Sequence, residues 1–228
     1  MSVYDCLATG NEVGMLEMVM HSATLWKIQG KVGSVLWDDT VINNWLKSKN
    51  PTEDSYNRAC DAFLMSCAGY SVATYVLGIA DRHNDNIMLK ETGQLFHIDF
   101  GHFLGNWKEK FGVRRERVKF ILVPDFVVAM TRGSTQKSPK WKLFKDVCKQ
   151  AYLIVRRHAD LFINLLNMML ATGIPELQSR DDVNYLRDTL FLQFSEEEAA
   201  ERFMQEIDTA LRDSKTVKVN WAFHGVRH

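Results

Sequence analysis

The chain has 228 residues, 46% hydrophobic and 25% charged, which suits a globular protein with one substantial core and excludes a disordered or low-complexity chain. Twenty-eight basic residues offset twenty-eight acidic ones, so no global field draws it to nucleic acid or anionic membrane, and any such attraction must be local. The start, Met1-Ser2-Val3-Tyr4-Asp5, lacks the pattern of a secretory signal. The most apolar long window, 159–171, falls short of the ~20 residues that span a bilayer. Cys6, Cys60, Cys67 and Cys148 form no C-x-x-C pair, so reduced thiols and a cytoplasmic setting are expected.

From Cys6 to Trp26, short apolar and polar runs separated by Gly10 and Gly14 predict strands and turns, and Glu17-Met18-Val19 is read as leading into a helical region. Ala59, Phe63, Cys67, Tyr70, Thr74 and Leu77 recur at three- and four-residue intervals and predict a helix over 56–77. Two short β-favouring runs, 86–90 and 95–100, flank the polar connection Glu91-Thr92-Gly93-Gln94 and predict a hairpin. The stretch from Gly101 to Val118, with its glycines and cluster of basic side chains, reads as an exposed loop. Everything after Pro124 reads as helical, with capping-box starts at Ser179 and Ser195. The fold class expected is α+β, mostly helical, with a small hairpin carrying the chemistry.

That chemistry lies in Asp81-Arg82-His83-Asn84-Asp85-Asn86 and, across the hairpin, Asp99-Phe100-Gly101-His102. An acid and an amide five positions apart, followed by a D-F-G aspartate, is the arrangement phosphoryl transfer uses in protein-kinase catalytic loops. Here His83 follows the acid by two positions instead of preceding it. Asn86 and Asp99 are the candidate ligands of Mg2+, which takes a few hard oxygens and leaves its other positions to water and phosphate. Asp81 is the candidate catalytic acid, placed near the attacking hydroxyl. His83 and His102 are candidate catalytic groups, either of which can carry a proton, and the residues do not decide which is the base. Asp85 reads as a solvated turn carboxylate, His97 as a satisfied structural histidine and Arg82 as a brace of the loop.

These residues, together with Cys67-Ala-Gly-Tyr70-Ser-Val-Ala-Thr74, the run from Gly93 to Gly105, Phe111-Gly-Val-Arg-Arg-Glu-Arg-Val118 and the ending Val219-Asn-Trp221-x-x-His224, resemble the catalytic domain of phosphoinositide 3-kinases, closest to class I catalytic subunits. The resemblance covers nearly the whole chain. It implies that residues 1–228 form the C-lobe of a protein-kinase-like fold, from the hinge to the C-terminal helix, with the N-lobe absent. The sixteen residues before Glu17 hold no Gly-rich phosphate loop, and Gln29-Gly-Lys-Val-Gly-Ser34 does not fit that spacing. Transfer of the ATP γ-phosphate to the 3-hydroxyl of a phosphoinositide, phosphatidylinositol 4,5-bisphosphate foremost, is the implied activity, and the isolated chain is expected to be inactive.

The resemblance further implies that backbone groups of Glu17 and Val19 hold adenine above an apolar floor of Met88 and Ile98. Lys108, Lys110, Arg114, Arg115 and Arg117 would read the inositol phosphates, for which guanidinium and ammonium groups are suited. Trp221 matches the family's terminal membrane-contacting helix, against which a helix packed on the core stands as the alternative. A regulatory subunit, peripheral recruitment to the plasma membrane and no nucleic-acid partner complete the expectation. Ala80 stands where the family has Gly, Lys119 where it has Pro, and Trp107 and Glu109 vary the loop. A noncatalytic lipid- or partner-binding module and a protein serine/threonine kinase are the competing readings.

Overall fold

The computed structural model describes residues 1–30, 34–107, 109–110, 113–114 and 118–225, with side chains described at all of these except 34–35, 109–110, 113–114 and 223–225. The chain enters as an antiparallel hairpin, β1 (Cys6–Gly10) and β2 (Val13–Leu16), whose residues are all exposed. Gly14 lies inside β2, because Asn11 and Glu12 make the turn, with Glu12 at a φ of 55°. Glu17–Val19 leads first into a strand, β3 (Ser22–Thr24), and only then into a five-residue helix, α1 (Leu25–Gln29). This corrects the expected order. The Thr24 hydroxyl starts α1 by accepting from the Lys27 amide at 3.2 Å.

Two helices follow, α2 (Val41–Lys49) and α3 (Glu53–Leu77). The longer one begins three residues ahead of the expected start because Thr52 Oγ1 accepts from the Ser55 amide at 3.2 Å. Glu53 and Asp54 then complement the positive end of the helix. Gly78 stops it in the left-handed region, at a φ of 57°. A Cβ at Gly78 would lie 2.5 Å from both the Gly105 nitrogen and the Tyr185 ring, so only glycine lets the next segment cross here.

β4 (Ile87–Lys90) and β5 (Leu95–His97) form the expected hairpin, and β3 pairs with the other edge of β4 to give an antiparallel sheet in the order β3-β4-β5. Met88 stands opposite Phe96 on one side and Thr24 on the other. β5 ends three residues before the expected Phe100. Arg82 takes the carbonyls of Ile98, at 2.7 Å, and of Asp99, and Asp99 turns to a φ of 59°, which no extended strand permits.

The expected exposed loop is only partly so. Leu104 is buried, and its amide donates to Leu77 O at 2.7 Å. Further on, β6 (Glu109–Lys110) and β7 (Val113–Arg114) make a short ribbon with Glu109 opposite Arg114. Lys119, where a proline was expected, ties the chain to its surroundings. Its Nζ lies 2.6 Å from Glu206 and 5.3 Å from the centre of the Tyr75 ring.

The rest is helical, as the sequence predicts: α4 (Pro124–Met130), α5 (Pro139–Arg157), α6 (Ala159–Met169), α7 (Arg180–Thr189), α8 (Glu196–Arg212) and α9 (Ser214–Gly225). Ser179 with Asp182 and Ser195 with Glu198 both complete their capping boxes. The central α3 packs on α5, α4, α7 and β5. It is long and apolar enough to cross a membrane, but 67% of its apolar window is buried inside the protein. Tyr75, Phe120, Tyr152 and Phe203 form an aromatic cluster where α3, α5 and α8 meet, with Tyr152 and Phe203 stacked at 4.5 Å. Such a pair contributes about 0.5–1.5 kcal/mol beyond its buried area. Cys60, Cys67 and Cys148 are buried in this core, while Cys6 is exposed. Burial pushes the Cys67 thiol up to about 12.

Candidate active site

The end of α3 delivers residues 79–86 to the open end of the β4–β5 hairpin, and the backbone there is held in an uncommon shape. Asp81 has a φ of 55° and Asp99 a φ of 59°, a region that non-glycine residues seldom occupy and in which Asp and Asn are enriched. Strain of this kind persists where surrounding bonds over-determine it. His83 N donates to Asp81 O at 3.1 Å, Asn86 N to His83 O at 3.0 Å and Ile98 N to Asn86 O at 3.0 Å.

Arg82, only 6% exposed, is the brace the sequence suggested. Its Nε donates to Ala80 O at 2.8 Å and its two terminal nitrogens to the carbonyls of Ile98 and Asp99. One planar guanidinium thus joins the loop before β4 to the segment after β5, at a fixed spacing that a flexible ammonium does not impose. The Phe100 ring lies 5.7 Å from the same guanidinium.

Asn86 joins the main chain of Asp81 to the carboxylate of Asp99. Its Nδ2 donates to Asp81 O at 3.1 Å and to Asp99 Oδ2 at 3.4 Å. Both bonds use the amide nitrogen, so the amide oxygen is the atom available to a cation. His83 Nε2 lies 4.0 Å from Asp81 Oδ2, with both side chains largely buried. His102 is joined to the loop through its backbone, its carbonyl accepting from Ala80 N at 2.9 Å. Asp81, His83, Asn86 and Asp99 therefore share one site.

The donor set fits magnesium. The exposed carboxylate of Asp99 stands beside the buried side-chain amide of Asn86, 3.4 Å from its nitrogen, and a carboxylate with an amide oxygen is the kind of hard donor set that suits a cation retaining several waters. Among the described residues no cluster of three His, Cys, Asp or Glu side chains forms a closed metal cage.

Glu17 and Val19 lie on the connection between β2 and β3. Glu17 N donates to Asp5 O at 2.8 Å, and Val19 O accepts from Ser22 Oγ at 2.7 Å. Among the described residues these bonds leave open Glu17 C=O and Val19 N–H, an acceptor and a donor two residues apart. Met88 and Ile98 are half-buried at the edge of the core. Lys108, Arg115 and Arg117 lie outside the described residues. Lys110 and Arg114 are described as backbone, on β6 and β7.

Trp221 corrects an expectation. Only 2% of it is exposed, and its Nε1 donates to Arg82 O at 3.2 Å, so it packs on the candidate loop and does not face outward to a membrane. An indole fills this place because its ring is apolar and its one N–H finds a buried carbonyl. His97 is also less satisfied than expected. It stacks on Tyr70 at 4.6 Å with Nδ1 buried and unpartnered. Burial, with the Arg82 charge acting in the same sense, depresses its pKa to about 3.

A buried polar chain also reaches the loop, through residues that sequence reasoning passed over. Asn84 Nδ2 donates to Gln29 Oε1 at 3.0 Å, and Gln29 Nε2 donates to Asp125 Oδ2 at 3.1 Å. Asp125 Oδ1 lies 2.5 Å from Lys218 Nζ, which also contacts Asp39 at 2.7 Å. No spacing in the sequence signals this set, because its members come from α1, the loop, α4 and α9.

A family model described as phosphatidylinositol 3- and 4-kinase matches residues 1–179. The chain is 51% identical over 228 residues to "Phosphatidylinositol 3-kinase 2" of Dictyostelium discoideum, covering 99% of this chain and 12% of that protein. It is 47% identical over 232 residues to "Phosphatidylinositol 3-kinase 1" of the same organism, covering 100% of this chain and 14% of that protein. It therefore spans about an eighth of the length of the curated relatives it matches. The matched region includes every member of the candidate constellation, and on that ground the chain belongs to the phosphatidylinositol 3- and 4-kinase family.

Proposed function

We propose that this chain is the catalytic portion of a phosphatidylinositol 3-kinase that transfers the γ-phosphate of ATP to the 3-hydroxyl of an inositol lipid. The observation that carries the reading is the Asn86 side chain, which bonds to the Asp81 main-chain carbonyl and to the Asp99 carboxylate. Asp99 and Asn86 hold magnesium, and Asp81 accepts a hydrogen bond from the attacking hydroxyl. When bound, the cation neutralises charge on the phosphate oxygens. His83, 4.0 Å from Asp81, is the neighbouring group able to receive the hydroxyl proton. Arg82 and Trp221 keep the loop at its spacing, so that little reorganisation is needed at the moment of transfer.

The nucleotide lies against Met88 and Ile98, with Glu17 C=O and Val19 N–H facing the adenine edge. Val13, Met15, Leu16, Met18 and Met20, in the segment that leads to Val19, are each more than half exposed. Large apolar side chains exposed in such number are characteristic of an interface, which supports a phosphate-covering N-lobe packing there. The basic stretch 108–117 recognises the headgroup, with phosphatidylinositol 4,5-bisphosphate as the preferred substrate. The protein acts in lipid signalling at the cytoplasmic face of the plasma membrane, with a regulatory subunit as partner.

The test is turnover of the complete natural polypeptide with magnesium-ATP and vesicles carrying phosphatidylinositol, its 4-phosphate or its 4,5-bisphosphate. Asp99→Ala is expected to lower kcat by at least about a hundredfold, with product labelled at the 3-position in the wild type. Undiminished turnover by the Asp99→Ala protein refutes the site, and equal rates on the three lipids refute the substrate preference.

A further inference from the structure

We propose that Lys218, on the C-terminal helix α9, is a positioning residue for phosphoryl transfer, acting through Asp125 and Gln29 on the Asn84 side chain between Asp81 and Asn86. The inference rests on the reading of Asp81 and Asn86 as the catalytic loop.

The four side chains form one continuous buried line. Gln29 and Asp125 are fully buried, and Asn84 and Lys218 are 2% and 3% exposed. Buried polar groups of this kind are costly unless paired; each link of the line is paired, while Asn84 Oδ1 at its inner end is buried with no hydrogen-bond partner among the described residues. The line also has a direction. An ionised carboxylate can only accept hydrogen bonds, so Asp125 obliges Gln29 to present its NH2 group to Oδ2, at 3.1 Å. The Gln29 carbonyl must then face the other way, towards Asn84, and Asn84 must in turn present its NH2 group, at 3.0 Å. The charge on Asp125 thereby sets the orientation of an amide two links away, inside the loop.

Lys218 keeps that charge in place. Burial pushes the Asp125 carboxyl upward, and the Lys218 ammonium, 2.5 Å from Oδ1, opposes the push. Without Lys218, burial and the Asp39 charge both push the carboxyl up against a single backbone hydrogen bond, so protonation is favoured. A protonated carboxyl can donate as well as accept, so the Gln29 amide is free to turn over and Asn84 with it. Asn84 O accepts from Trp26 N at 2.8 Å, so α1 holds the main chain at this point while the side-chain line selects the rotamer. The remaining contact of Lys218, with Asp39 at 2.7 Å, lies at the outer end of the line, where Asp39 is 45% exposed.

The experiment is a double-mutant cycle on the complete natural polypeptide, with magnesium-ATP and phosphatidylinositol vesicles. Lys218→Met keeps the aliphatic stem and removes the charge. It is expected to lower kcat at least about tenfold while the KM for ATP stays within about twofold, as misplacement of a reacting group does. Asn84→Ala is expected to do the same. The double variant is expected to be no slower than the slower single, because both act at one point. Gln29→Leu interrupts the line without removing a charge and must give the same loss, and the same non-additivity with Asn84→Ala. It decides the matter if Lys218→Met does not fold. Losses that multiply, a loss confined to KM, or unchanged kcat in Gln29→Leu overturns the proposal. Asp99→Ala, measured alongside, separates the two readings: if it remains active the site itself is wrong, whereas if it is inactive the cycle judges Lys218 alone.

Discussion

His97 should make the stability of this chain fall in mild acid, and replacing it should remove part of that fall. The ring is fully buried at the base of the β4–β5 hairpin, stacked on Tyr70, and its pKa is depressed from 6.5 to about 3. In the unfolded chain the same group titrates near its ordinary value of about 6.5. The stabilising difference is fully present above that value and is lost as the pH falls towards the folded one, because over this window the unfolded chain binds a proton that the folded chain refuses. Each pH unit corresponds to about 1.4 kcal/mol, so going from neutral pH to about pH 4.5 removes roughly 2–3 kcal/mol through this one group. His97→Phe keeps an aromatic ring on Tyr70 and deletes the buried, unpartnered Nδ1. Urea unfolding followed by tryptophan fluorescence measures the gap between the two proteins at each pH. That gap should move by about 2–3 kcal/mol in favour of His97→Phe between neutral pH and about pH 4.5. Parallel stability curves would show that the buried imidazole is not the group that titrates, and the reasoning would fail.

Two further outcomes follow from packing. Gly93 has a φ of 96° and would place a Cβ 2.0 Å from the Ala59 carbonyl oxygen, a backbone atom that cannot step aside. Gly93→Ala should therefore cost at least about 1–3 kcal/mol, and an unchanged urea midpoint would contradict the close approach of hairpin and α3. Phe203→Ala removes the ring stacked at 4.5 Å on Tyr152 and should cost about 3–5 kcal/mol, read as a lowered denaturation midpoint. A loss below about 1 kcal/mol would place the core elsewhere.

Much of the site was legible because its residues are close in sequence and their chemistry is specific. Asp81, Asn86 and Asp99 sit on either side of one hairpin, and alternation with a polar, glycine-containing turn is enough to predict that hairpin. Arg82 as brace was legible for the same reason. Trp221 was not, since an aromatic residue in a short terminal segment reads equally as surface or core until its indole N–H is seen on Arg82 O. His97 read as satisfied because sequence carries no account of which buried atoms find partners.

The sequence by itself determined the long helices, the hairpin and the spacing of the candidate residues. Helical periodicity, two capping boxes, the hairpin turn and the acid–amide–acid spacing are local properties, set by a few neighbouring side chains and by backbone sterics. Only the tertiary structure decided where β5 ends, which way Trp221 points and how α9 reaches the loop. Those outcomes depend on groups 17 to 139 positions apart, such as Arg82 with Asp99 O and Trp221 with Arg82 O. Burial forces each such donor to find whatever acceptor the packed helices bring within reach, and no local pattern names that acceptor in advance.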